Sequence, residues 1–373
     1  MSLPLVAFNL LYVRPGYAGG TVRYAYELLR QLCHVGRHRY LVYAQAGVFP
    51  RSDPDLGAVA LHELRIRGGL PGRVVTEHLR LPALAEKDGV DLLFSPGFVS
   101  PLWGRFARIV TIHDLYYRKF PGFVRPWQRR YWRVAIPLSL RCADAAIVVS
   151  DSTRSDVAKA FPWCERKLHR VHPGSDALAR PASSRIEAGG KRFQYCLVVG
   201  NVTPNKDIQT AVSALRLLRG RGVGVQLVIA GSDPLGLLAH VLGRRPVDDG
   251  VRFLDRVQDS ELAGLYAAAL CLIQASRYEG FGLPVVEAMH CGCPVVASDI
   301  AVFHETAGDA ALYFEPGSAH SLSLRIEQLA GDPSLCARLR TRGQANARRF
   351  SWRRSALHTA DLFDKTLQTR EAA

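Results

Sequence analysis

The sequence has no stretch approaching the ~20 consecutive apolar residues of a membrane-spanning helix. It also has no basic segment ahead of the apolar residues between Met1 and Leu11, so the N-terminus makes a poor secretory signal and a cytoplasmic location is expected. The eight cysteines, spread from Cys33 to Cys336, form no ligand array. Their one close pair, Cys291 and Cys293, lacks both a second pair and histidines at zinc spacing. No metal site and no disulfide framework is therefore expected, and most of the thiols read as small core residues. The bias of a disordered chain is missing too, since 48% of residues are apolar and 22% charged, which suits a soluble globular protein. At 373 residues the chain exceeds what one core usually organises, and two domains are expected.

What is present centres on the stretch from Arg277 to Asp299. An apolar run, Leu270 to Gln274, leads into a glycine-bearing loop, Glu279 to Gly282, and then into a short helix beginning at Leu283 or Pro284. Proline suits a first helical position because its φ is already helical and its missing N–H would go unused there. Gly292 stops the helix, and Pro294 to Ala297 reads as a buried strand. Such a loop offers free backbone N–H groups and the positive end of a helix dipole, which suits a phosphate. Glu279 in the loop and Glu287 in the helix place two carboxylates beside the same site.

Around this stretch the chain alternates strands and helices. Strands are predicted at Leu5–Leu11, Tyr40–Ala44, Asp91–Ser95, Arg108–Ile112, Ala145–Ser150 and Leu168–His172. A second series is predicted at Tyr195–Gly200, Val225–Ala230, Val251–Leu254, Leu270–Gln274, Pro294–Ala297 and Ala311–Phe314. Between the series, Asp176 to Lys191 is turn-rich and short of large apolar residues, and is read as a linker. The pattern predicts an α/β protein with two doubly wound parallel-sheet domains of Rossmann type, and ligands at the C-terminal ends of the strands. Two domains facing one another would form a cleft there.

At such ends lie Gly19-Gly20 before a helix from Thr21 to about His34, the pair His113-Asp114, and Ser150 with Asp151-Ser152 capping a helix from Thr153. Gly19-Gly20 could simply be a turn. His113 could simply donate to a backbone carbonyl, or Asp114 could orient its ring for a functional role. In the second series Lys206 stands just ahead of a helix, where a point charge strengthens an anion site.

The charge of +15 is unevenly placed: residues 101–150 hold nine Lys or Arg against two acids, and residues 251–300 three against six. The basic block mixes Arg118, Lys119, Arg125, Arg129, Arg130, Arg133 and Arg141 with Phe120, Phe123, Trp127, Tyr131 and Trp132. Three readings fit: a solvated helix face with core aromatics, an anionic membrane surface, or nucleic acid.

Glu279-Gly-Phe-Gly-Leu-Pro284, with Glu287 eight positions after Glu279, and then Cys291-Gly-Cys-Pro294 through Asp299, resembles family 4 of the retaining glycosyltransferases. The likeness extends over most of the chain, through Gly19-Gly20, Thr111 to Asp114, Ile147 to Ser152, Val199-Gly200 with Lys206, and Ala307 to Gly317. It implies the GT-B fold, with residues 1–178 as an acceptor-side domain and 179–354 as the nucleotide-sugar domain. A terminal helix of about 355–373 would brace the first domain.

The resemblance also assigns roles. Glu279 would meet donor-sugar hydroxyls and Glu287 the ribose. Phe281, Gly282 and Leu283 would offer backbone groups to the sugar and diphosphate, Lys206 would neutralise the leaving diphosphate, and His113 would face the donor sugar. Many relatives carry an arginine where this chain has Asn201 or Asn205; Arg277 is a candidate replacement, with a structurally neutral role as the alternative reading of it.

The implied activity is retaining transfer, without metal or other cofactor, from a nucleotide sugar, best matched by a GDP-linked mannosyl or rhamnosyl donor. The implied acceptor is a glycan, lipid-linked, in synthesis of O-antigen, capsule or exopolysaccharide. The 118–141 block would then dock peripherally on the inner face of the plasma membrane, with no nucleic acid partner. A sugar-nucleotide epimerase and a non-catalytic scaffold of the same fold are the alternatives.

Overall fold

In the computed structural model, residues 3–14, 19–57, 59–178, 194–242 and 250–372 are described. The chain divides into two compact units, residues 1–173 with 352–373, and residues 174–351.

The first unit is built on a seven-stranded sheet of β1 (Leu5–Leu10), β2 (Arg39–Gln45), β3 (Ala60–Leu64), β4 (Leu92–Ser95), β5 (Ala107–Ile112), β6 (Ala145–Val148) and β7 (Leu168–Arg170). Its order is β3-β2-β1-β4-β5-β6-β7, and every pairing is parallel. The second unit holds a six-stranded parallel sheet of β8 (Gln194–Val199), β9 (Val225–Ala230), β10 (Val251–Phe253), β11 (Cys271–Gln274), β12 (Val295–Ser298) and β13 (Ala311–Phe314), in the order β10-β9-β8-β11-β12-β13.

Each order reverses direction once, between β1 and β4 and again between β8 and β11. At such a switch point neighbouring loops diverge to opposite faces and leave a crevice at the strands' C-terminal ends. The predicted α/β architecture of two doubly wound parallel sheets is what the chain forms.

The inner strands were legible because both of their faces are covered. Every residue of β4, β6, β11 and β12 is buried, as parallel strands packed on both sides require. Along β8 alternate residues enter opposite cores: Tyr195 and Leu197 join one cluster, Cys196 and Val198 the other. The edge strand β3 escaped the sequence reading because only Leu64 of its five residues is buried. Ser150 does cap a helix, its Oγ accepting from Thr153 N at 2.9 Å, but that helix starts at Asp151 rather than Thr153.

The units divide at 173/174 rather than at 178/179. Ser175 shows why: its Oγ donates to the carbonyls of Ala347 and Phe350, and Leu178 lies within a core cluster of the second sheet. The remaining linker residues predicted after Leu178 lie outside the described residues.

The chain returns to the first unit at Trp352, a few residues before the predicted helix start. The Trp352–Glu371 helix is held there by Ser355 Oγ on the carbonyl of His172, by Arg37 on Asp361, and by His38 Nε2 on Asp364 Oδ1 at 2.9 Å. Its Phe363 is fully buried, with ring centroids 5.3 Å from Phe94 and 5.7 Å from His38. Phe363→Ala should cost roughly 3–5 kcal/mol of stability. Equilibrium urea denaturation would check this, and a loss under 1 kcal/mol would show that the helix is not part of the first unit's core.

Candidate functional site

The polar residues of the second unit gather at the β8/β11 switch point. After β8 the chain turns through Gly200 and a 3-10 turn, Pro204–Lys206, into the Ile208–Gly220 helix. After β11 it passes through Ser276 to Gly282 into the Leu283–His290 helix. These loops leave adjacent strands and meet in an ion pair, with Lys206 Nζ 2.6 Å from Glu279 Oε1.

Both side chains of the pair are mostly shielded, 19% and 13% exposed, so the surroundings must replace lost water. Ser276 Oγ donates to Glu279 Oε1 at 2.7 Å, and Gln274 Nε2 reaches the same oxygen at 3.3 Å and Ser276 Oγ at 3.0 Å. Ser298 Oγ on β12 in turn donates to the Ser276 carbonyl. Gln274, Ser276 and Ser298 are all buried, which fixes the carboxylate from behind. Gln274 and Ser276 are supporting groups that the sequence reading did not assign. Their signal was a polar residue closing an otherwise apolar strand.

Glycine lets the loops come this close. Gly200 has φ +132°, and a Cβ there would lie 3.3 Å from Lys206 Cε. Gly282 caps the Leu283–His290 helix at φ +90°, where a Cβ would press to 2.8 Å from the Phe303 ring. Leu283 and Pro284 occupy the first two helical positions. Phe281 is buried edge-on to Phe350, with centroids 5.5 Å apart. Glu287 is buried inside the same helix and accepts from Tyr266 OH at 3.3 Å.

The two asparagines serve as fasteners. Asn201 Oδ1 accepts from Ser232 Oγ at 2.8 Å, joining the loops after β8 and β9. Asn205 Nδ2 donates to the Tyr278 carbonyl, its Oδ1 accepts from Thr203 Oγ1, and its backbone carbonyl accepts from Arg277 N. The Lys206 and Glu279 loops are thereby stapled together. Arg277 is committed elsewhere, since its Nε pairs with Asp207 Oδ2 at 2.8 Å. That carboxylate also accepts from Thr210 Oγ1 at the start of the Ile208–Gly220 helix.

In the first unit, Gly19 is the N-cap of the Gly20–Val35 helix and gives it no side-chain cap, while Tyr12 OH donates to the Thr21 carbonyl in the first turn at 3.0 Å. Residues 15–18 of the preceding loop lie outside the described residues. Tyr24 of this helix connects it to the end of β5, its OH 3.4 Å from Thr111 Oγ1 and its ring edge-on to His113 at 4.8 Å. His113 Nε2 donates to the Pro96 carbonyl at 2.7 Å, and the Phe98 ring also packs against the imidazole, with centroids 5.3 Å apart. A backbone carbonyl therefore orients the imidazole, and Asp114 Oδ1 accepts from Tyr116 N, capping the next turn. Desolvation holds the His113 pKa down at about 4, so the ring is neutral at physiological pH.

Two doubly wound parallel sheets of this order, one in each unit, make up the GT-B fold. Solved structures agree. Sucrose-phosphate synthase from Thermosynechococcus elongatus superposes with TM-score 0.74 at 22% identity over 98% of this chain and 100% of that one. WaaG, a glycosyltransferase involved in lipopolysaccharide biosynthesis, gives 0.73 at 18% identity over 96% and 99%.

The chain belongs to the family 4, or group 1, glycosyltransferases and is a glycosyltransferase. Residues 18–177 match the family described as Glycosyltransferase Family 4, and residues 180–346 match Glycosyl transferases group 1. O-antigen chain mannosyltransferase B of Escherichia coli is 30% identical over 299 residues, 77% of each chain. O-antigen chain mannosyltransferase RfbU of Salmonella typhimurium is 28% identical over 230 residues, 61% of this chain and 62% of that protein. The MMP alpha-(1->4)-mannosyltransferase of Mycolicibacterium hassiacum is 29% identical over 277 residues, 70% and 66%.

The His113 environment has a pH consequence. An unfolded histidine titrates near pH 6.5, whereas the folded one does so at about 4. Between these values the unfolded chain takes up a proton that the folded protein refuses. The stability tied to the neutral ring is whole above pH 6.5 and declines as pH falls toward 4, by up to about 1.4 kcal/mol per pH unit. His113→Gln should flatten the wild-type stability profile in this window, as read by urea denaturation at successive pH values. Identical slopes in the two proteins would show that His113 titrates normally.

Proposed function

We propose that the chain is a retaining, metal-independent glycosyltransferase using a nucleotide sugar, with a GDP-linked mannosyl or rhamnosyl donor as the best match. Its acceptor is a glycan, lipid-linked, in synthesis of a cell-surface polysaccharide. The single observation that carries the catalytic part is the Lys206–Glu279 pair at the β8/β11 switch point, beside the start of the Leu283–His290 helix. The names of the mannosyltransferase relatives support the donor sugar and the pathway class.

The chemistry follows from where charge moves. Breaking the anomeric C–O bond leaves negative charge on the diphosphate and positive charge on the sugar. Lys206, with backbone N–H groups at Phe281 to Leu283, stabilises the departing diphosphate in a site fixed before the reaction. The freed Glu279 carboxylate meets sugar hydroxyls near the anomeric carbon, and Glu287 meets the ribose. The leaving phosphate then assists the acceptor hydroxyl on the same face, so configuration is retained without a pair of acids of the glycosidase kind. Lysine and N–H donors supply the charge neutralisation that a metal would otherwise give, which supports the metal-independent reading.

His113, neutral and edge-on to Tyr24, suits hydrogen bonding to a sugar hydroxyl rather than an ionic role. The basic and aromatic 118–141 segment supports peripheral docking on an anionic membrane that displays the acceptor, at the cytoplasmic face. No helix among the described residues is long and apolar enough to cross a membrane.

Glu279→Ala should lower turnover by roughly 10- to 100-fold or more, since losing a hydrogen bond to a charged group costs ~1.5–3 kcal/mol and ~1.4 kcal/mol is tenfold in rate. Unchanged turnover in a folded variant would sink the assignment. A thermal-shift screen over GDP, UDP, dTDP and ADP sugars should single out GDP. A donor present at 100 times its Kd adds about 2.7 kcal/mol to folding stability. Donor consumed without any acceptor would instead indicate epimerisation, and no shift with any nucleotide sugar would indicate a scaffold.

A further inference from the structure

The switch point of the first sheet, where β1 and β4 lie side by side, is backed by a buried carboxylate that none of the roles described above requires. Glu77 lies in a π turn, Thr76–Arg80, between the Gly69–Val75 and Leu81–Lys87 helices. Such a turn closes its hydrogen bonds over five residues instead of four, which resets the side chains that face the sheet. Here Glu77 is turned inward, 2% exposed, while Val75 and Leu79 stand out at 52% and 60%. A charged residue inside and two large apolar residues outside reverse the usual partition.

The carboxylate commits one oxygen firmly. Its Oε1 accepts from Asn9 Nδ2 at 2.7 Å. Its Oε2 lies 3.7 Å from Arg73 Nε and has no hydrogen-bond partner among the described residues. A buried pair at that separation is weak ground for a stabilising role. The firm bond, by contrast, sets the Asn9 amide: a carboxylate only accepts, so the amide nitrogen must face Glu77 and its oxygen must face away. Asn9 is itself buried near the end of β1. Its Nδ2 also donates to the Oγ of Ser95, the last residue of β4, and its Oδ1 accepts from Leu11 N just beyond β1, each at 3.3 Å.

Both strand exits lead to His113. After Ser95 comes Pro96, whose carbonyl accepts from His113 Nε2, and then Phe98, whose ring packs against the imidazole. Phe98 has φ +67°, a state that a bulky residue keeps only when its surroundings enforce it. After Leu11 comes Tyr12, whose ring lies so close to Gly97 that a Cβ there would meet it at 2.5 Å. Tyr12 OH also reaches the Thr21 carbonyl, in the helix that supplies Tyr24 to His113. The strained 96–98 turn is thus held from Ser95 on one side and from Tyr12 on the other.

We propose that Glu77 is a positioning residue for sugar transfer: through Asn9 it fixes the exits of β1 and β4, and through them the 96–98 turn that seats His113. It needs no contact with donor or acceptor. The proposal rests on the reading of His113 as a group that faces the donor sugar, and it names what holds that group in place.

The test compares Glu77→Met, which keeps the bulk and removes the acceptor, with Glu77→Gln, whose carbonyl can still accept from Asn9 but which offers Arg73 no charge. Asn9→Ala breaks the same link and leaves Glu77 and Arg73 as they are, so it decides the matter where Glu77→Met does not fold. Two quantities are read on the full chain. One is the titration midpoint of the His113 ring by NMR, assigned with His113→Gln; the other is GDP release from GDP-mannose with water as acceptor. The wild-type midpoint is expected at about 4. Glu77→Met and Asn9→Ala should raise it toward the ordinary value of about 6.5 and lower GDP release by roughly 10- to 100-fold, since misplacement by about 1 Å can cost ~10²-fold. Glu77→Gln should stay within about threefold of wild type in GDP release, and the GDP-mannose affinity of all three variants should change by less than about threefold, because the loss is confined to turnover.

An unchanged His113 midpoint in folded Glu77→Met or Asn9→Ala would overturn the proposal. So would Glu77→Gln falling as far as Glu77→Met, which would assign the effect to the charge facing Arg73. Wild-type protein that neither binds nor hydrolyses GDP-mannose would remove the donor reading instead, and the His113 midpoints would still decide for or against Glu77.

Discussion

Two opposite charges that are mostly out of water, Lys206 and Glu279 at 2.6 Å, set the demands that the rest of the second unit meets. A shielded pair is tolerated only if its remaining hydrogen-bonding capacity is satisfied. Strand ends supply this from three positions: Gln274 on β11, Ser276 just beyond it and Ser298 on β12. Those residues are buried because the inner strands of a parallel sheet are covered on both faces, so the support is as rigid as the sheet. The switch point places the two loops side by side, and glycine at 200 and 282 removes the side chains that would hold them apart.

This explains which parts of the site could be read from the chain alone. The Glu279 loop was legible because its signals are local: an apolar run, glycines at the turn, proline at the helix start. Lys206 was legible only by its place before a helix. The supporting bonds were not legible in the same way. Asn205 reaches Tyr278, and Arg277 reaches Asp207, across some 70 residues of sequence. Periodicity carries no information at that separation. Arg277 is an example: whether it serves a phosphate or is merely structural could not be read from its place near the motif, and its pairing with Asp207 is a contact that only the fold reveals.

The same distinction governs the fold. Inner strands announced themselves as continuous apolar runs, while β3, half-exposed at an edge, gave too weak an alternation to be seen. The unit boundary moved because of two contacts made at a distance, those of Ser175 with Ala347 and Phe350. His113 shows the intermediate case. Its strand-end position was evident, but its charge state depended on Tyr24, Phe98 and the Pro96 carbonyl, which come from two other segments of the chain.

With Asn201 and Asn205 used as staples and Arg277 Nε on Asp207, Lys206 is the cation that directly faces Glu279 among the described residues. In the free site that lysine is neutralised by Glu279, so each side chain holds the other in a defined place at little electrostatic cost. In the proposed function a nucleotide sugar would bring partners for both: phosphate oxygens for the ammonium, hydroxyls for the carboxylate. Asparagine at 205 gives up a charge and, in return, fixes the lysine and the glutamate in register.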